Sequence, residues 1–150
     1  MKIISVDVGT KCGIAVYDHG KISFSTLNTT PKKNDHPGKR LSTFKSHFEV
    51  LFEGVDHVLY EKVYNHSSSA AAHLYGAFEG VLQLVALDKK IELQGYAVGT
   101  IKKFWTGAGN AKKEDMIEEA ARRGFNVLDD NQADALAILH LFLSEKLIKT

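Results

Sequence analysis

Residues 2–27 read KIISVDVGTKCGIAVYDHGKISFSTL. The segment 2–8 is apolar and β-branched around Asp7, as a strand requires. Gly9 and Gly13 bracket a tight turn, residues 13–18 (GIAVYD) read as a second strand, and His19-Gly20 turns the chain into a third over 21–27. The result is an antiparallel meander. Working outward, the polar stretch 28–40 holds both prolines, Pro31 and Pro37, and is the longest loop. Residues 39–53 carry Leu41, Phe44, Phe48, Leu51 and Phe52 at helical spacing. A strand over 55–61 (VDHVLYE) follows, then a helix over 68–87 and a strand over 91–97. A short helix at 99–105 precedes the turn TGAGN, a helix over 111–123 is closed by Gly124, and a last helix runs from 131 to 146. The order βββ-α-β-α-β-α-α-α predicts an α/β fold, a mixed five-stranded sheet flanked by helices on both faces.

The length, 150 residues, fits one domain over 1–150 with a core that needs no staples. A hydrophobic share of 44% and a charged share of 25% are those of a globular protein. The lone Cys12 excludes an internal disulfide framework and fits a reducing compartment. The opening MKIISVDVGT runs into a strand carrying Asp7 rather than a leader's apolar core, and no stretch reaches the ~18 uninterrupted apolar residues of a membrane span. The expectation is a cytoplasmic chain with no membrane partner. Net charge is only +1, but Lys32, Lys33, Lys39 and Arg40 cluster in one segment, and Lys102, Lys103, Lys112 and Lys113 in another. A solvated face is the usual reading of such runs.

Three acids stand where apolar residues are expected. Asp7 lies among Ile3, Ile4, Val6 and Val8; Glu61 ends VDHVLYE; Asp134 sits in the strongly apolar helix NQADALAILHLFL. A buried carboxylate costs several kcal/mol unless paired or metal-bound. Each has a bland alternative: a strand terminator for Asp7, a solvated acid for Glu61, a dipole-favoured first-turn residue for Asp134. Together they fall at element ends that an open α/β sheet gathers beside one crevice. Carboxylates so gathered suit two Mg²⁺ or Mn²⁺ ions, ~3.5–4 Å apart, that activate water against a phosphodiester and stabilise its leaving oxygen. The seven histidines form no zinc-type spacing.

Four motifs in order carry a family resemblance: D7-V-G-T-K-C-G13; E61-K-V-Y64 with S69-A-A-A-H-L-Y-G-A-F-E-G80; I101-K-K-F-W-T-G107-A-G109-N-A-K-K113; and A133-D134-A-L-A. They span nearly the whole chain, which resembles the RuvC family of Holliday-junction resolvases. The resemblance implies an RNase H-like fold and a metal-dependent endonuclease that resolves four-way DNA by paired nicks. It implies that Asp7, Glu61 and Asp134 bind metal, that the basic residues near the scissile phosphate are Lys102 and Lys113, and that Tyr64 stacks on unpaired bases. The residues alone leave a snorkelling lysine open for Lys113 and a core aromatic open for Tyr64. Lys102 and Lys103 are separated only by the resemblance.

The chain also departs from the family's pattern. A fourth acid is usual three residues before the last aspartate, where this chain has Asn131; Asp130, four before Asp134, is the alternative ligand or only the helix N-cap. Val8 replaces a usual proline and Glu79 a usual basic residue. These changes suggest a divergent branch, with host-cell cytoplasm as the location if it is phage-encoded. Competing readings are an RNase H-like nuclease for structured RNA, an actin- or sugar-kinase-like ATP-binding domain built on D7-V-G-T10, and a DNA-binding scaffold without catalysis. Paired nicks call for a two-fold homodimer. The stripe Ala72, Gly76, Gly80, with Leu74, Phe78 and Val81 nearby, is the candidate interface, unless it packs on the chain's own sheet.

Overall fold

The computed structural model describes residues 1–149, so that Thr150 of the expected domain lies outside the described residues. The meander forms strands β1 (Lys2–Asp7), β2 (Lys11–Asp18) and β3 (Lys21–Asn28). Then come α1 (Lys39–Leu51), β4 (His57–Lys62), α2 (Ser69–Asp88), β5 (Glu92–Ala97), α3 (Val98–Thr106), α4 (Lys113–Arg122) and α5 (Asp130–Lys149). The sheet order is β3-β2-β1-β4-β5, antiparallel within the meander and parallel from β1 to β4 to β5. The hairpin His19-Gly20 has positive φ at both residues, 49° and 94°, which matches the twist of the strands it joins.

Alternation along β1 divides the core. Ile3 faces a layer made by α5, α3 and α4, with Leu59, Trp105, Met116, Leu136 and Leu139. Ile4 and Val6 face α1 and α2, with Val58, Phe44, Phe48, Phe78 and Leu82. On that second face Phe44 lies 4.6 Å from Phe48 and 4.8 Å from Phe78, ring centre to ring centre. Each such ring, fully buried, contributes about 1.5–3 kcal/mol. Ser5 shares the Ile3 face and solves its own polarity by donating to the Ala135 carbonyl of α5.

Two expectations need correction. The second strand begins at Lys11 rather than at Gly13, which sits inside β2, paired with Asp7. A Cβ there would collide with the Asn131 carbonyl, so glycine is what lets the start of α5 press onto β2. The second concerns α2. Phe78 is wholly buried in the chain's own core, so it offers nothing to a partner. Gly76 and Gly80, conversely, do not pack on the sheet, since a Cβ on either meets nothing within 4 Å. By length and composition α2 could cross a membrane, yet it lies along the sheet with Phe78, Leu82, Val85 and Ala86 buried.

Candidate metal centre

Parallel pairing brings the carboxyl ends of β1 and β4 to the same edge of the sheet, and with them Asp7 and Glu61. α5 completes the set. Its N-cap is Asp129, whose carboxylate accepts from the Gln132 N–H at 2.9 Å. The buried Gln132 side chain accepts from Leu128 N–H at 2.9 Å and donates to Thr26 Oγ1 of β3 at 2.8 Å. Anchored in this way and admitted by Gly13, the first two turns of α5 place Asp134 beside the strand acids. One ligand oxygen from each of Asp7, Glu61 and Asp134 lies within 4.8 Å of the others.

Such proximity is electrostatically expensive. Burial first, then Asp134 and Glu61, push the Asp7 carboxyl well above the ordinary carboxylate range. Burial likewise raises Glu61, against the opposing pull of its hydrogen bond with Asp7 and the charge of Lys102. Asp134 is pushed up to about 7 by burial, Glu61 and Asp130, with Lys102 and Lys113 working in the other direction. Acids buried and crowded in this way favour a positive charge among them. The donor set is all oxygen, with no imidazole or thiolate among the three, and suits a hard divalent cation.

A cavity of about 320 Å³ opens beside Glu61 and Asp134, lined also by Asn65, Lys102, Lys113 and Asp130. Lys102 is half-buried on α3 whereas Lys103 is exposed, so geometry makes the distinction that composition does not. Lys113 is the first residue of α4, and the indole N–H of Trp105 donates to the Met116 carbonyl at 3.0 Å, tying α3 to α4 and the two lysines to one wall. Asp130 lines the cavity but stands outside the close trio, and Asn131 does not line it. With Asp129 as cap, Asp130 is free of that duty. Tyr64 is 73% exposed, which rules out a core aromatic, and the Lys62 ammonium lies 6.0 Å from its ring centre. Asn65 went unnoticed in the sequence, where nothing sets it apart from an ordinary loop asparagine. Arg40 is no member of a solvated run: its guanidinium donates to Thr10 Oγ1 at 2.6 Å and lies 5.4 Å from the Phe78 ring centre.

A family model described as crossover junction endodeoxyribonuclease RuvC matches residues 3–141. The chain is similar to the protein of that name from Thermotoga petrophila, 31% identical over 148 residues, covering 92% of this chain and 89% of the relative. Its fold is similar to that of Thermus thermophilus RuvC, with a TM-score of 0.74 at 19% identity over 97% of this chain and 96% of the other. The same Thermus protein solved in complex with Holliday junction substrate also aligns with a TM-score of 0.74 and 19% identity, over 92% and 90% of the two chains.

Proposed function

The chain belongs to the crossover junction endodeoxyribonuclease RuvC family, and from that premise we propose that it resolves four-way DNA junctions by metal-dependent hydrolysis of paired phosphodiesters. The observation that carries this reading is the Asp7–Glu61–Asp134 trio within 4.8 Å, two of whose members, Glu61 and Asp134, line one cavity with Lys102 and Lys113. Asp7, Glu61 and Asp134 would hold the divalent cation, Mg²⁺ or Mn²⁺ and two ions per site, with Asp130 at the rim as a fourth oxygen donor. When bound, the cation supplies positive charge that lowers the cost of forming the attacking and departing oxyanions. Lys102 and Lys113 draw the scissile phosphate toward the acids and stabilise the charge that builds on its oxygens. Tyr64 offers an exposed ring to an unpaired base at the junction centre.

Two nicks require two sites, and the enzyme works as a two-fold dimer in the cytoplasm. On α2 the open Gly76 and Gly80 permit a close helix approach, and Leu84 and Leu87, 59% and 71% exposed, supply apolar area that Phe78 does not. Incubation with synthetic four-way, flap and duplex DNA, with and without Mg²⁺ or Mn²⁺, tests the proposal. Symmetric paired nicks in the four-way substrate, abolished by chelation, are expected. Equal cutting of plain duplex, or cutting in chelator, refutes it.

A further inference from the structure

The direction of the Glu61 side chain depends on backbone that the sheet holds on one side only. β1 pairs with β4 from Ile3↔His57 to Val6↔Tyr60 and no further, whereas β5 runs beside β4 as far as Lys62↔Ala97. The β1–β4 ladder stops at Tyr60 and β1 itself ends at Asp7, at the point where the carboxylate has to be aimed. One side chain of α2 stands in for that strand. The Tyr75 phenolic oxygen accepts from the Val63 N–H at 3.1 Å, and its O–H donates to the Glu61 carbonyl at 2.8 Å. In an extended chain the carbonyl of one residue and the N–H two residues on point to the same edge, so one hydroxyl spans the pair as a neighbouring peptide would. Its ring lies 5.0 Å from that of His66, packed from the loop that follows β4.

We propose that Tyr75 is a positioning residue for the Glu61 carboxylate, its hydroxyl replacing the absent strand and fixing the backbone from which that ligand projects. The inference rests on the reading of Asp7, Glu61 and Asp134 as a cation site. A neighbouring contact of the same helix and strand provides the comparison: Tyr60 donates to the Glu79 carboxylate at 2.7 Å, side chain to side chain, without touching the β4 backbone. A phenol that merely glued α2 to β4 would behave like Tyr60. One that aims Glu61 would not.

Calorimetric titration of the whole chain with Mn²⁺ alone, on wild type, Tyr75→Phe, Tyr60→Phe and Asp134→Asn, separates the cases, together with amide hydrogen exchange at Val63. Tyr75→Phe is expected to weaken Mn²⁺ binding about tenfold and to speed Val63 exchange by a similar factor, while Tyr60→Phe binds as wild type does. Unchanged Mn²⁺ affinity in Tyr75→Phe overturns the proposal, and so does equal weakening in both phenylalanine variants, which marks a general loosening of α2. If wild type and Asp134→Asn take up Mn²⁺ alike, the cation-site reading itself fails and this inference falls with it.

Discussion

Asparagine at position 134 keeps the shape of the side chain and removes a charge that the folded state tolerates poorly. Without metal, the Asp134 carboxyl is pushed up to about 7, whereas in the unfolded chain it titrates in the ordinary range. Between those values the folded protein binds more protons than the unfolded one, so stability falls as pH rises through that window. At about 1.4 kcal/mol for each pH unit of displacement, the full penalty above pH 7 is roughly 4 kcal/mol. Asp7 and Glu61 share the same protons and water reaches the cavity, which cuts the expected figure to about 2 kcal/mol. In chelator at pH 8, Asp134→Asn should therefore melt some 4–8 °C higher than wild type, on a slope of roughly 2–4 °C per kcal/mol. Toward pH 4 the gap should shrink to a small fraction, because the unfolded wild-type chain then holds the proton part of the time and the folded chain nearly always. Saturating Mn²⁺ should raise the wild-type melting temperature and leave the variant nearly unmoved, closing or reversing the gap. Cleavage of four-way DNA should collapse in the variant while binding persists. Calorimetric melting at pH 4, 6 and 8, with and without metal, provides the measurement. A variant less stable than wild type at pH 8 in chelator, or one that cuts at the wild-type rate, refutes the electrostatic reasoning.

Asp130→Ala should raise the Mg²⁺ concentration needed for half-maximal cleavage several-fold and Asn131→Ala should not, as a metal titration of each would show. Charge reversal at Lys102 or Lys113 should lower cleavage at least ~10-fold more than reversal at Lys32, and junction affinity should fall steeply with salt because phosphate contacts release counterions; a flat salt profile argues against the phosphate-lined wall. Gly13→Ala forces the Asn131 carbonyl away and should cost about 1–3 kcal/mol in denaturant unfolding, the overpacking range, with loss of metal binding. Sedimentation equilibrium should find a dimer at micromolar concentration that Gly76→Leu dissociates; a wild-type monomer making paired nicks would defeat the symmetric scheme.

The meander was legible because its strands carry apolar alternation and its hairpin carries a positive-φ pair, both local signals. Asp7, Glu61 and Asp134 stood out for a related reason: each contradicts the apolar pattern around it, and burial of charge demands an explanation wherever it occurs. What escaped depends on distant neighbours. Gly13 reads only as the boundary of a turn and a strand until its partner, the Asn131 backbone, is seen against it. Asp129 and Asp130 are adjacent acids at a helix start, and only the hydrogen bond to the Gln132 N–H assigns the cap to the first and frees the second. Arg40 lies in a run of charge that looks solvated, yet its own side chain turns inward to Thr10 and the Phe78 ring. Tyr75 has no pattern of its own on α2, because its role is set by where β1 stops.

The order in which the ribosome delivers these residues has a consequence of its own. Asp7 is made first, Glu61 follows, and Asp134 arrives only with α5, the last described element. At roughly 5–20 residues per second, several seconds separate Glu61 from Asp134. A nascent chain that has reached α4 carries two acids and an uncovered face of the sheet, since α5 supplies Leu136, Ile138 and Leu139 to that layer as well as the third acid. The complete acid trio and the final burial of the core thus appear in the same step. Premature termination before α5 yields a fragment that lacks both Asp134 and that cover for the sheet.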